Sequence, residues 1–241
     1  MVKHYISFNG RRSDEFHLYI DSELKLVSAK PDIEEVEVPG RDGSVLVSND
    51  RLKAISQTIP FVLKIPYNSP YSFHEIVAQI QEWLSPRSWR PLDFSWDPNH
   101  YYSAVVLEDF EIAAQTSHFG KLAVTFKIQP FKHLSNSGNP VRVTNGMVLY
   151  NPTKHVSKPT VSLRGSGSVT VRLGDSSMSF QNISSGAYIQ SEHGTVSVDN
   201  SSAMNKVLSN DLFELKPGPN TVYISNSSFE VTVSPMWRRK V

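Results

Sequence analysis

Apolar residues recur at helical spacing in one convincing stretch of the chain. Phe73, Ile76, Val77, Ile80, Trp83 and Leu84 fall on one stripe of a 3.6-residue repeat. Ser72-Phe73-His74-Glu75 opens that stretch as a capping box. In such a box the Ser oxygen satisfies a free helix N–H while Glu, three residues on, bonds back. Pro86 stops the helix soon after Leu84. Around it the pattern is that of strands. Thr58 to Ile65 precedes the helix, and Tyr101 to Ile112 and Leu122 to Ile128 follow it, all rich in Val, Ile, Phe or Tyr. Leu122, Val124, Phe126 and Ile128 point one way, Thr125 and Lys127 the other. A helix laid on antiparallel strands predicts an α+β domain.

Past His133 the helical signal disappears. The second half predicts short strands at Thr160–Leu163, Val169–Leu173, Thr195–Val198, Thr221–Ile224 and Phe229–Val233. Their breakers are Gly165-Ser166-Gly167, Gly174-Asp175, Asp199-Asn200 and Pro217-Gly218-Pro219-Asn220. Many short strands between Gly, Asn and Ser turns predict a β-sandwich or jelly roll. The polar, Pro-terminated stretch His133 to Pro140 reads as a linker. The expected organisation is therefore residues 1–135 as an α+β domain and residues 136–241 as a β-sandwich, mainly β in sum.

Composition sharpens this division. Residues 1–135 hold 14 Lys/Arg against 17 Asp/Glu, a sum of −3, and residues 136–241 hold 10 against 6, a sum of +4. Eighteen of the 25 aromatic residues lie in the first half, which therefore carries the heavier core. The net charge is +1, so no overall field draws the chain to nucleic acid or to an anionic membrane. Cys is absent, which excludes disulfides, thiolate metal sites and Cys nucleophiles. No apolar run nears the roughly 18 residues of a membrane-spanning helix. The opening Met1 to Gly10 lacks the apolar core of a secretory signal. The expectation is a soluble protein made in the cytosol.

Candidate chemistry is sparse. His74-Glu75-Ile76-Val77-Ala78 falls one imidazole short of a helical zinc motif, because Ala78 stands at the second ligand position. Gly174-Asp175-Ser176-Ser177 is similar to an esterase nucleophile block, but between two strands Gly-Asp is a hairpin turn. The eight His show no metal-ligand spacing. Glu34-Glu35 and Glu108-Asp109, as neighbours on strands, aim their carboxylates to opposite faces. Asn182, Asn200 and Asn226 open Asn-x-Ser sequons that read as turn chemistry. Trp237-Arg238-Arg239-Lys240 reads as a solvated basic tail. These residues predict no enzyme, no cofactor and no metal. The most unusual segment is Pro39-Gly40-Arg41-Asp42-Gly43. It lacks the residues of a phosphate loop, while Gly40 and Gly43 permit positive φ and Pro39 fixes the approach. It is a tight turn or a shaped loop that docks on a neighbour.

At this loop the sequence resembles the distal tail proteins of long-tailed phages of Gram-positive hosts. The similar segments run in order along nearly the whole chain: Tyr5 to Gly10, Pro39 to Gly43, Ile59 to Leu63, Ile80 to Leu84 and Asp97 to Tyr102. Asn151-Pro152, Lys158 to Gly167 and Leu215 to Asn220 continue the likeness in the second half. The resemblance implies a hexameric ring built by the first domain, with a galectin-like β-sandwich (jelly-roll type) outside. Such a ring joins the tail-tube protein to the tail-tip hub protein, with a receptor-binding protein as a further candidate partner. It implies a virion component assembled in the host cytoplasm, without enzyme activity, specific nucleic-acid binding or membrane insertion. Pro39, Gly40, Arg41, Asp42 and Gly43 then become the candidate assembly loop. Two other readings compete: a carbohydrate-binding tail protein, and a hydrolase. The 106 residues after 135 (241 − 135) leave no room for an inserted sugar-binding module, and Trp237 is the second half's sole Trp.

Overall fold

The computed structural model describes residues 4–21, 24–201, 204–209 and 211–241. The chain divides into two compact units, residues 1–132 with 240–241, and residues 133–239.

In chain order the first unit holds β1 (Ile6–Phe8), β2 (Arg11–Arg12), β3 (Leu18–Ile20), β4 (Pro31–Glu37), β5 (Ser44–Leu52) and β6 (Ile55–Lys64). Helix α1 (Phe73–Leu84) follows, then β7 (Arg90–Phe94), β8 (His100–Val106), β9 (Ile112–Thr116) and β10 (Phe119–Ile128). Strand β11 (Phe131–Leu134) runs across the division. The main sheet has the order β2-β1-β7-β8-β10-β6-β3, with β9 added beside β10. Its longest pairing matches ten residues of β10 with ten of β6, from Phe119 opposite Lys64 to Ile128 opposite Ile55. Leu122, Val124, Phe126 and Ile128 are buried while Lys121, Ala123 and Lys127 are exposed, the period of two expected from the sequence.

Helix α1 buries Ile76, Ile80, Trp83 and Leu84 in the same core as Phe8, Phe16, Val124 and Phe126. Its capping box is formed. The Glu75 N–H donates to Ser72 Oγ (3.4 Å), and the Ser72 N–H donates to Glu75 Oε2 (2.7 Å). These bonds from Ser72 to its carboxylate hold the Glu75 carboxyl below its ordinary pKa. The stretch Tyr101 to Ile112 is two strands rather than one. Strand β8 ends at Val106, and Leu107 to Glu111 forms an irregular connection before β9. Glu108 and Asp109 lie in that connection and not on a strand. Leu107, 64 % exposed, has no core to enter there.

The second unit holds β12 (Val141–Val143), β13 (Val148–Asn151), β14 (Thr160–Arg164), β15 (Gly167–Leu173), β16 (Ser176–Ile183), β17 (Gly186–Gln190), β18 (Thr195–Val198), β19 (Gly218–Ile224), β20 (Glu230–Ser234) and β21 (Arg238–Lys240), whose last residue belongs to the first unit. Two antiparallel sheets, β12-β20-β14-β17-β18 and β13-β19-β15-β16, supply one shared core. Val161, Leu163, Ile189 and Val231 enter it from the first sheet, and Val171, Leu173, Met178, Phe180 and Val222 from the second. Gly174-Asp175 is the two-residue turn between β15 and β16, so Ser176 and Ser177 open a strand. Gly218, Pro219 and Asn220, read from sequence as a breaker, are paired with Asn151, Tyr150 and Leu149. Proline is tolerated there because Pro219 lies beyond the segment Val222–Ile224 through which β19 pairs with β15.

Candidate functional site: a projecting hairpin

Strands β4 and β5 pair only with each other, outside the main sheet. Val36 lies opposite Val45, Glu34 opposite Val47, Glu35 opposite Leu46 and Glu37 opposite Ser44. Alternation therefore gives the hairpin two distinct faces. One carries Glu34, Val36, Val45 and Val47, with Val38 just past the end of β4; the other carries Ile33, Glu35, Glu37, Ser44, Leu46 and Ser48. Neither face is covered. Val36 and Val38 are each 42 % exposed, Val47 45 % and Leu46 66 %. An isolated two-stranded hairpin is marginal in water and a bare apolar face is costly, so this element is built to be covered.

The predicted loop is the tip of this hairpin. Pro39, Gly40, Arg41, Asp42 and Gly43 are all exposed. The Arg41 N–H donates to the Val38 carbonyl (3.1 Å), closing the turn. Gly40 and Gly43 take φ of +80° and +78°, a left-handed conformation that suits glycine. The five residues thus share one end of one element. The sequence reading placed Glu34-Glu35 on a strand, as β4 bears out, but did not identify β5 or the hairpin the two strands form. Glu34, Glu35 and Glu37 break the apolar alternation on one side, and Ser44, Ser48 and Asn49 break it on the other. The remaining signal was a run of Val at every second position, which is what an unburied but apolar strand face leaves behind.

The root of the hairpin is locked by charge. Asp32, 2 % exposed, accepts from Arg51 Nε and Lys53 Nζ, each at 2.7 Å. Hydrogen bonds from Lys53 and then Arg51 bring its carboxyl to a pKa of about 2. Gln57 ties down the segment that leads into β4. Its amide donates to the Lys25 carbonyl (2.7 Å) and its Oε1 accepts from the Val27 N–H (2.9 Å). Buried at 3 % exposure, Gln57 has the amide donors and acceptor engaged that burial requires.

The other motifs resolve into structure. His74 and Ala78 lie on α1, whose Glu75 serves the cap. Among the described residues no group of three His, Asp or Glu is placed to hold a metal. Asn200 occupies positive φ at a turn, whereas Asn182 does so inside β16, where the pairing with β15 shifts register, and Asn226 Oδ1 accepts from Ser228 N–H (3.1 Å) and Oγ (2.7 Å). The basic tail is only partly solvated. Arg238 is buried: its Nε donates to the Val156 carbonyl (2.7 Å) and its Nη1 to Glu192 (2.9 Å).

Comparison with known proteins agrees with this architecture. The phage tail protein RIFT-related domain matches residues 11–128. The crystal structure of the Dit protein (gp 19.1) of phage SPP1, described as a paradigm of the hub adsorption apparatus in phages infecting Gram-positive hosts, superposes with a TM-score of 0.72. It is 16 % identical over 95 % of this chain and 98 % of its own. A chain of the phage P2 baseplate in its activated conformation with Ca has a TM-score of 0.53 at 8 % identity, covering 100 % of this chain and 99 % of that one. A chain of the p2 baseplate with Sr has a TM-score of 0.53 at 7 % identity, covering 99 % and 98 %. No curated protein matches the chain significantly. Residues 11–128 match the phage tail protein RIFT-related domain, and the chain has the fold of the Dit hub protein.

Proposed function

We propose that this chain forms the hub ring at the distal end of a phage tail. Six copies close through their first units and join the tail tube to the tail-tip protein, with the second units outside. The observation that carries the reading is the β4–β5 hairpin, which leaves Val36, Val38, Val47 and Leu46 uncovered within its own chain. A hairpin of this kind gains a partner when copies meet, and its valine-bearing face is what each copy offers the next. The Dit fold supports the reading, since the SPP1 protein is described as a hub. The sequence resemblance supplies the copy number, the tube and tip partners, and assembly in the host cytoplasm. The role is architectural, so the working parts are surfaces rather than reacting groups.

Mass measurement of the purified chain, with electron microscopy of the same sample, tests this directly. Six-fold rings are expected from the unaltered protein. Val36→Asp with Val47→Asp places two carboxylates on the apolar face and is expected to yield monomers with an unchanged far-UV circular dichroism spectrum. A protein that stays monomeric at tens of micromolar, or a double variant that still closes rings, overturns the reading.

A further inference from the structure

The β4–β5 hairpin is not one continuous ladder. Pro31 pairs with Leu52, and Ile33 with Ser48. Between those pairs β4 has one residue, Asp32, while β5 has three, Asn49, Asp50 and Arg51. The surplus forms a bulge, which interrupts the ladder, bends the strand and sharpens its twist. Asp50 turns the chain at a φ of +50°, and its N–H donates to Ser48 Oγ (3.1 Å). The bulge divides the hairpin into a root, Pro31 with Leu52, and an outer arm, residues 33–37 with 44–48. Strands β4 and β5 pair with no other strand, and no residue from 33 to 48 belongs to the core of the first unit. The direction of the arm is therefore set at the bulge.

One acidic side chain fills that bulge. Asp32 has a side chain only 3 % exposed. Its Oδ2 accepts from Arg51 Nε and its Oδ1 from Lys53 Nζ, each at 2.7 Å, and Asn49 adds a side-chain hydrogen bond. The donors stand at alternate positions 49, 51 and 53 and converge on the one carboxylate. Arg51 and Lys53 keep 74 % and 50 % of their side chains exposed, so they close over the carboxylate from the solvent side. A buried carboxylate needs such partners, and removing either side leaves the other uncompensated. The backbone adds a tie at the root, where the Lys53 N–H donates to the Lys30 carbonyl (3.0 Å).

We infer that Asp32 is the positioning residue for assembly: by gathering Arg51 and Lys53 on its carboxylate, it sets the angle at which the arm presents Val36, Val45 and Val47 to the next copy. The inference rests on the ring reading above and adds what aims the hairpin. Geometry shows why aim matters. From Asp32 to Val38 the arm runs about 20 Å, at roughly 3.4 Å per residue. A swing of about 20° at the root, the ordinary rotation between neighbouring strands, moves the tip by about 7 Å. Apolar side chains touch within about 4.5 Å, so such a swing takes the valine-bearing face out of contact. A two-stranded ribbon is marginal by itself and does not hold its own angle. The clamp at its base does, and it lies outside the core, so losing it redirects the arm and leaves the body folded.

Because the sequence has no Cys, a pair of nitroxide labels can read the direction of the arm. Gln81→Cys marks the exposed side of α1 and Asp42→Cys the exposed tip. Both are placed in the Val36→Asp/Val47→Asp background, so that no neighbour holds the arm, and pulsed electron spin resonance gives the distance distribution. A narrow distribution is expected with Asp32, and one at least twice as broad with Asp32→Asn. Without labels or background changes, Asp32→Asn is expected to raise the concentration for half-maximal ring formation at least tenfold and to leave the far-UV circular dichroism spectrum unchanged. Arg51→Met/Lys53→Met removes the two cations from exposed positions and is expected to act alike; it decides the matter if Asp32→Asn fails to fold. Equal widths in the parent and the folded variants overturn the inference, whether or not rings are lost. A broadened distribution in a variant that closes rings as readily as the parent also overturns it and leaves the ring reading standing. A parent chain that forms no rings overturns both.

Discussion

The indole N–H of Trp83 donates to the backbone carbonyl of Phe8 at 2.9 Å, linking residues 75 positions apart. It fastens the last turn of α1 to the end of β1. The Trp83 ring is stacked on Phe16 (4.9 Å between centroids, 25° between planes) and meets Phe8 edge-on at 6.2 Å. One side chain therefore joins the helix, the first strand and the short helical turn Ser13–Phe16.

Two substitutions separate the polar and apolar shares of this joint. Trp83→Phe keeps an aromatic body but removes the donor, which is expected to cost about 1–3 kcal/mol of unfolding free energy. Trp83→Ala also opens a cavity and is expected to cost about 3–5 kcal/mol. Urea unfolding followed by circular dichroism reads both. Equal losses for the two variants would mean that the hydrogen bond carries the whole contribution and the ring none.

The helix was legible in the sequence because its signals agree. The apolar stripe, the Ser72–Glu75 box and Pro86 all set the same limits, and α1 runs from Phe73 to Leu84. Strand β10 was legible for a similar reason, since a one-sided sheet writes its burial into alternation. The hairpin was not, because neither of its faces is buried in its own chain. Its tip could be picked out from Pro39, Gly40 and Gly43, whose backbone preferences are local. Arg238 misled the reading of the tail, since its partners Val156 and Glu192 lie 82 and 46 residues away.

Acid is expected to loosen the first unit through two carboxylates. Asp32 and Asp97 both titrate near 2 in the folded chain. At Asp97 burial opposes the charge, but hydrogen bonds from Lys132, Tyr102 and His100 outweigh it. A folded-state pKa below the unfolded value of about 3.9 gives stability that is present above that value. It is lost as pH falls from about 4 to 2. Asp97→Asn removes one of the two titrations, so its stability should fall less steeply in that window than the parent's. Denaturation midpoints at pH 5, 4, 3 and 2.5 supply the comparison. An acid slope identical in variant and parent would rule out Asp97 as a contributor.

Glycine substitutions should divide cleanly between folding and assembly. A Cβ at Gly186 would lie 2.2 Å from the Leu163 carbonyl oxygen. Leu163 is held in β14 between β17 and β20, so its backbone has no room to retreat. Gly186→Ala is expected to destabilise the second unit by roughly 3 kcal/mol. At Gly40 a Cβ would meet nothing within 4 Å, and only the φ of +80° resists it. Gly40→Ala is expected to cost about 1–2 kcal/mol, confined to the hairpin turn. The Gly40 variant should therefore melt like the parent and close fewer rings, while the Gly186 variant should melt early. A melt shift from Gly40→Ala as large as that from Gly186→Ala would contradict this division.

The second unit is expected to fold by itself, provided its last residues are kept. Its core, from Val143 to Val233, is one cluster of buried side chains drawn from both sheets. About 100 residues suffice to bury such a core. The closing segment contributes more than length. Ser157 Oγ, fully buried, is within hydrogen-bond reach of the carbonyls of Pro235 (2.6 Å) and Met236 (2.5 Å). The Arg238 guanidinium spans the Val156 carbonyl and Glu192. A fragment of residues 136–241 keeps these partners, and one of residues 136–234 strips them from Ser157 and Glu192. The longer fragment should give a β-type circular dichroism spectrum and a cooperative melt. The shorter should lose about 1–3 kcal/mol for the buried hydroxyl left without a partner. Ser157→Ala removes the hydroxyl itself, so the shorter fragment should lose less stability relative to the longer when both carry that change. If truncation costs the same with and without Ser157→Ala, the closing segment acts through packing and not through this hydroxyl.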